Sequence, residues 1–346
     1  MTSPVPLVAG HPLPEGLRAA EDPALREWLS RLPRLVDEVL ARWELTALPP
    51  FRPGGSSAWV APVRTADGQE RVLKVAWAHE ESRDEATGMR AWQGRGVAAL
   101  FRGERRGDTA SLLLEHVRPG VPLARSLTWA ERDEVTTGVL RRLRVPIEEL
   151  LAPASALLAS GDVTLAADDE NLVAGDEYLA AGDENLAAGD ESPSVSFRPL
   201  EHMCAWWADS AQQRADAQGS PLPRSLVEHG LGLFRELPAH WDGDQVLLVT
   251  DLNPGNVLSH DGPDGWLLID PKPYIGDPHY DVLQHMLNDQ DRLVADPGAF
   301  ADRMAGLAGL DPRRTRQWLL ARCVQESGEF DGAAQAALRL AADGVS

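Results

Sequence analysis

Asp251, Asn256 and Asp270 are oxygen-bearing side chains at a spacing that suits phosphoryl transfer. The apolar run Val246-Leu247-Leu248-Val249 reads as a short buried strand, and Thr250-Asp251-Leu252-Asn253-Pro254-Gly255-Asn256 as a tight loop after it. A hairpin follows: Asn256-Val257-Leu258, a turn at Asp261-Gly262-Pro263-Asp264-Gly265, then Trp266-Leu267-Leu268-Ile269, which delivers Asp270 at its end. Magnesium takes hard oxygen ligands and keeps waters and substrate phosphates in its shell. Asn256 and Asp270, one on each strand, can hold Mg2+ against the phosphates of ATP. Asp251, five residues before Asn256, can orient an attacking hydroxyl and accept its proton. The bland alternative is a β-hairpin with acidic turns, since Asp and Asn are common in loops. An Asp-x4-Asn loop followed by an apolar strand ending in Asp is far more specific than the loop alone.

The lysines narrow the field further. Of 33 basic residues, Lys74 and Lys272 are the only lysines, which makes both candidates for a specific role. A lysine is a compact point charge suited to a phosphate contact. Lys272 follows Asp270 by two residues and precedes Pro273, which keeps the chain extended there. Residues two apart in an extended stretch face the same side. Lys272 is therefore expected in the cleft with Asp270, offsetting charge in the transition state. The alternative is a salt bridge from Lys272 to Asp277 that braces the loop.

The stretch 247–280 resembles the catalytic core of the aminoglycoside phosphotransferases, which share the protein-kinase fold. It is most similar to the streptomycin 6-kinase and hydroxyurea phosphotransferase branch, where H-G-D-L-x-x-G-N precedes I-D-P-K. Val249 stands in place of the family His, a structural buttress of the loop, and Thr250 in place of the Gly. The resemblance covers about residues 45–340, apart from the repeat at 158–192. It implies an α+β, bilobal protein-kinase-like fold, with a small antiparallel-sheet N-lobe of five strands and a mostly helical C-lobe.

The elements that must position these residues follow in order. Residues 1–20 are Pro-rich and read as a loose or draped extension, and 21–46 as a helix that Pro33 kinks or splits. Gly54-Gly55-Ser56-Ser57 is a turn between strands, and the strand 71–77 carries Lys74. In the kinase fold such a turn lids the nucleotide, which assigns Gly55 and Ser56 to cofactor binding and Lys74 to the α/β-phosphates. The turn lacks a full G-x-G-x-x-G, and a plain hairpin is its alternative reading. No G-x-x-x-x-G-K-[ST] occurs, which argues against a P-loop NTPase. Residues 79–93 read as a helix, whose Glu85-Ala86-Thr87-Gly88-Met89-Arg90-Ala91-Trp92 resembles the family's E-A-x-A-L-R-L-W. The resemblance assigns Glu85 to holding Lys74 in place. Strands at 97–102 and 110–116 lead to a hinge at 112–117, where Glu115 and Val117 offer backbone groups to the adenine edge. Helices are expected at 127–152, 197–218, 222–238, 276–288, 297–307 and 313–327, and Asp281 is a structural brace of the catalytic loop.

Composition bounds the function. The chain has 346 residues, 43% hydrophobic and 25% charged, as in an ordinary globular protein. It has no apolar stretch near the ~20 residues of a membrane span, no signal-peptide pattern at its N-terminus, and two cysteines, Cys204 and Cys323. Cytoplasmic localisation, no membrane and no disulfide framework are expected. A net charge of −20 argues against nucleic acid and is compatible with a cationic substrate. From Leu158 a seven-residue unit repeats in tandem, LASGDVT, LAADDEN, LVAGDEY, LAAGDEN, LAAGDES, ending at Ser192 with ten acids and no bases. It reads as an acidic insertion in a surface loop; its Gly-Asp-Glu triplets leave a calcium-binding repeat as the alternative. The expected organisation is an extension and helix at 1–46, a nucleotide-binding N-lobe at 47–117, and a catalytic and acceptor-binding C-lobe at 118–346 with the insertion at 158–192. The expected function is ATP- and Mg2+-dependent phosphorylation of a hydroxyl on an aminoglycoside-like, streptomycin-type or other small cationic acceptor, by a monomer or weak dimer. The alternatives are a kinase of another small metabolite (a sugar, amino alcohol or hydroxyurea-type compound) and an inactive kinase-fold binding module.

Overall fold

The computed structural model describes residues 7–79, 82–92, 94–147, 149, 197–263 and 265–345. The acidic repeat at 158–192 lies outside the described residues. The chain opens with a small hairpin, β1 (Leu7–Val8) and β2 (His11–Pro12), a single helical turn α1 (Glu15–Arg18), and the long helix α2 (Pro23–Arg42). Asp22 caps α2 by accepting from the Ala24 and Leu25 amides, and Pro23 fits the first helical position. Leu25, Trp28, Leu32, Val36 and Val39 are buried at helical spacing, and the helix continues through Pro33 rather than splitting there.

Strands β3 (Thr46–Ala47), β4 (Ala58–Arg64) and β5 (Glu70–Trp77), helix α3 (Glu85–Ala91), and strands β6 (Leu100–Arg106) and β7 (Thr109–Glu115) come next. The strands form one antiparallel sheet of five, in the order β3-β4-β5-β7-β6. Side chains alternate between the faces of a strand. Leu73 and Val75 of β5 therefore join Trp28, Leu32 and Trp59 under α2, while Val72 joins Met89 of α3 and Leu267 on the opposite side. Lys74 shares the parity of Val72 and so faces α3 and the rest of the molecule. The Trp28 indole donates to Thr109 Oγ1 at 2.9 Å and ties α2 to the sheet.

Below the sheet lie β8 (Pro119–Pro122), α4 (Trp129–Leu143), α5 (Leu200–Gln218), α6 (Arg224–Ala239) and the short strands β9 (Val246–Leu248), β10 (Val257–His260), β11 (Trp266–Leu268) and β12 (Tyr274–Gly276). Helices α7 (Leu283–Asn288), α8 (Gln290–Ala295), α9 (Pro297–Ala308), α10 (Pro312–Glu326) and α11 (Asp331–Ala342) complete the chain. Their apolar faces form one large core with α4, α5 and α6. Asp133 of α4, fully buried, is held at 2.7–2.8 Å by Arg292, Arg303 and His285, which stitches α4 to α7, α8 and α9. Burial works to raise the Asp133 carboxyl, but these partners outweigh it and keep the group ionised. No helix among the described residues is long and apolar enough to cross a membrane.

The two-lobed α+β arrangement expected from the sequence is the one observed. Several elements differ in extent. Residues 7–18 are draped over the N-lobe and docked, with Val8 and Leu17 fully buried, which selects the draped over the loose form of the extension. Helix α4 stops at Leu143, where Arg144 takes ψ 84° and leaves the helical region; residues 148 and 150–152 of the expected helix lie outside the described residues. The helix expected at 276–288 is a 3₁₀ turn, Pro278–Tyr280, which Asp277 caps by accepting the His279 amide, followed by α7. The strand expected at 97–102 instead spans Leu100–Arg106, and α11 was not foreseen.

Candidate active site

Strand β9 runs antiparallel to β12, pairing Leu248 with Tyr274, and ends at a loop fixed from two sides. From one side Asp281 accepts the amides of Val249 at 3.1 Å and Thr250 at 2.8 Å. Burial pushes the Asp281 carboxyl up to about 6, against the pull of those two amides. From the other side the Lys272 amide donates to Val249 O at 3.0 Å, and Thr250 Oγ1 donates to Lys272 O at 2.6 Å. Thr250 sits at φ +54°, a region in which a β-branched residue is strained. A glycine would adopt it freely, which is the residue the resemblance leads one to expect here. Val249 is fully buried in the apolar core, so packing does the work at the position of the family His.

The loop then presents its polar groups. Asn253 Nδ2 donates to Asp251 Oδ1 and Asn256 Nδ2 to Asp251 O, both at 3.3 Å. The hairpin β10–β11 aligns Val257 with Leu268, and the Ile269 amide donates to Asn256 O at 2.8 Å. Register thus puts Asp270 next to Asn256, as the spacing predicts. Asp270 itself takes φ +55°, and its side chain is 46% exposed, open to the cleft between the lobes.

Across that cleft, Lys74 Nζ donates to both carboxylate oxygens of Glu85 at 2.7 Å and to Asp270 Oδ1 at 2.6 Å. Lys74 is 7% exposed and Glu85 3%. Burial works against the ammonium, but Asp270 and Glu85 outweigh it and hold its pKa above the ordinary lysine value. Burial pushes the Glu85 carboxyl up, against the pull of Lys74. Asp270 is also raised by burial, yet Lys74 more than compensates and its carboxyl lies below the usual range. It is ionised at neutral pH.

Lys272 Nζ lies 3.3 Å from Asp251 Oδ2. The alternative of a Lys272–Asp277 brace is not what forms. Asp277 is fully buried and is bonded at 2.6 Å by His279, Arg314 and Trp318. Burial raises the Asp251 carboxyl above its ordinary value, with Lys272 pulling the other way. A raised pKa strengthens a carboxylate as a proton acceptor.

Gly55 and Ser56 are exposed on the turn entering β4, which pairs Val60 with Lys74. Glu115 ends β7 and Val117 lies in the crossing to β8. The Glu115 amide donates to Ala99 O at 2.8 Å and its carboxylate accepts from the Ala99 amide at 3.0 Å. Among the described residues no group of three or more His, Cys, Asp or Glu is placed to hold a metal. Asn256 and Asp270 fit the alternative, a pair of hard oxygen donors whose shell substrate phosphates and water complete. The Thr250 hydroxyl was missed in the sequence, although a non-glycine at that loop position is a visible signal.

Known proteins are similar to this chain along most of its length. The family model for aminoglycoside/hydroxyurea antibiotic resistance kinases matches residues 42–183 and 165–332. A hydroxyurea phosphotransferase of Kitasatospora aureofaciens is 34% identical over 305 residues, 87% of this chain and 73% of its own. A streptomycin 6-kinase of Streptomyces glaucescens is 30% identical over 325 residues, 91% of this chain and 89% of its own. Among solved structures, a thermostable mutant of aminoglycoside phosphotransferase APH(4)-Ia, in ternary complex with AMP-PNP and hygromycin B, shares the fold. Its TM-score is 0.50 at 15% identity, over 88% of this chain and 96% of that one.

Proposed function

The chain belongs to the aminoglycoside/hydroxyurea antibiotic resistance kinases, and on that premise we propose that it moves the γ-phosphoryl group of ATP, with Mg2+, to a hydroxyl of a small cationic acceptor of the streptomycin type. It is a small-molecule phosphotransferase, so the inactive binding module is not carried further. The observation that carries the detailed reading is the contact of Lys74 with Glu85 at 2.7 Å and with Asp270 at 2.6 Å, which joins the two lobes at one charged point.

In this reading residues 47–117 form the nucleotide lobe and 118–346 the catalytic and acceptor lobe. The Gly55-Ser56 turn covers the phosphates, and the backbone at Glu115 and Val117 meets the adenine edge. Lys74 contacts the α/β-phosphates and Glu85 keeps it there. Asn256 and Asp270 would hold Mg2+, which when bound neutralises charge developing on the phosphates. Asp251 orients the acceptor hydroxyl and takes its proton as the oxygen attacks the γ-phosphorus. Lys272, 3.3 Å from Asp251, offsets charge near the group in transfer.

The acidic balance of the chain, −20, supports a cationic acceptor. The relative at 34% identity is a hydroxyurea phosphotransferase, which supports a neutral hydroxamate-type acceptor as the second reading. An acceptor screen separates them. The protein, ATP and Mg2+ are incubated with streptomycin, other aminoglycosides, hydroxyurea and choline, and products are weighed by mass spectrometry. A phosphorylated streptomycin is the expected product. Phosphorylation of hydroxyurea alone selects the second reading, and no phosphorylated product from any acceptor contradicts both.

A further inference from the structure

Residues 14–16 of the N-terminal segment contact residues 52–55, which lead into and form the glycine turn. Pro14 is buried, and a Cβ added at Gly54, which has φ +83°, would meet its Cβ at 2.7 Å. Glu15 pairs with Arg52 at 2.5 Å. The Gly16 amide donates to Pro53 O at 3.0 Å. A Cβ added at Gly16 would lie 2.6 Å from Gly55 O and 2.7 Å from Gly54 O. These are backbone atoms on both sides, so neither can yield as the end of a side chain would. The segment is itself anchored, with Leu13 and Leu17 buried in the cluster that contains Trp28 and Trp59.

Two adjacent glycines make a turn with much conformational freedom to lose. An amide binds a phosphate well when it is already held in place. We propose that residues 13–18 are a fixed backstop that sets the height of the Gly54-Gly55 turn above the nucleotide, with Gly16 as its positioning residue. Gly16 is needed there because any side chain would push the turn away. This rests on the reading that the turn covers the phosphates of ATP.

The test compares Gly16→Val, Gly16→Ala and Gly55→Val in the full chain, with KM for ATP, KM for the acceptor, kcat and melting temperature measured on each. A Cβ at Gly55 meets nothing nearer than Ala58 O at 4.0 Å, so Gly55→Val tests phosphate access without disturbing the backstop. Gly16→Val is expected to raise KM for ATP about tenfold, the effect of losing roughly one hydrogen bond to phosphate. Its kcat and acceptor KM should change far less, and Gly16→Ala should move the same way by less. A raised ATP KM in Gly55→Val with none in the Gly16 variants overturns the backstop and leaves the phosphate reading standing. An unchanged ATP KM in all three overturns both. A fall in melting temperature with kcat and both KM values worsening together marks a merely structural role and also overturns the proposal. Should Gly16→Val not fold, Gly16→Ala decides alone, and an unchanged ATP KM in it is the overturning result.

Discussion

Lys74→Met is expected to destabilise the protein as well as to weaken ATP binding, and the two effects come apart. Methionine keeps most of the volume of the lysine stem and removes the ammonium. Glu85, 3% exposed, is then left as a buried carboxylate without its partner and beside Asp270. Breaking a buried ion pair from one side costs about 3–5 kcal/mol. Protonation of Glu85, which burial already favours, caps the loss near the lower figure, roughly a 5–10 °C fall in melting temperature. The sign with pH follows. In the variant the folded pKa of Glu85 stands above its unfolded value, so its contribution is complete in acid and is lost as pH rises through the folded pKa. The deficit against wild type is therefore larger at pH 8.5 than at pH 5. Adding Glu85→Leu removes the stranded carboxylate, and an apolar replacement of a buried pair is often neutral or better. Asp270 also loses Lys74, which holds its carboxyl down against burial, so part of the deficit remains in the double variant. The double variant should regain most of the melting temperature and none of the ATP affinity. Thermal melts at both pH values and calorimetric ATP titration read these outcomes. A Lys74→Met protein as stable as wild type at both pH values, or a double variant no more stable than the single, would refute the reasoning.

Three further outcomes are expected. Thr250→Gly should leave stability within about 1 kcal/mol of wild type, because relief of strain at φ +54° offsets loss of the hydroxyl bond to Lys272, while Thr250→Val keeps the strain and should cost about 1–2 kcal/mol. Equal melting of the two variants would contradict this. For Asp281, the folded pKa of about 6 exceeds the roughly 3.9 of an unfolded Asp, so its contribution is complete below about pH 4 and is lost as pH rises through 6. Asp281→Asn should therefore gain on wild type by up to about 3 kcal/mol between pH 4 and pH 8, and melts showing the reverse trend would reject the assignment. Lys272→Met should lower kcat at nearly unchanged melting temperature and move the acid limb of the rate profile to higher pH, since Lys272 opposes the burial that raises Asp251. Full kcat with an unmoved limb would leave Lys272 without a role.

The fold class and the mutual placement of the candidate residues were legible in the sequence, for a physical reason. Asp251, Asn256 and Asp270 lie within one loop and one hairpin, so local spacing and register decide their geometry. Lys74 could be placed because strand alternation fixes which face it takes, and Glu85 because its surroundings resemble a family motif. Contacts distant in sequence were not legible. Nothing in the proline-rich start shows that Leu17 will pack with Trp28 and Trp59, or that Gly16 will meet Gly54 and Gly55. Competition for partners was equally hidden: Asp277 is claimed by His279, Arg314 and Trp318, and that leaves Lys272 to Asp251. The Asp133 cluster joins residues 152 to 170 positions apart, and alignment of charges across four helices follows from packing alone.

The central claim is that Asp251 accepts the proton of the acceptor hydroxyl while the nucleotide is held by other residues. Its most direct test is the rate of phosphoryl transfer from ATP to the best acceptor by Asp251→Asn, with ATP affinity measured on the same protein. Transfer should fall by about 10²–10⁴-fold, the usual contribution of a general base, with ATP affinity and melting temperature near those of wild type. An Asp251→Asn protein that keeps most of its kcat would contradict it.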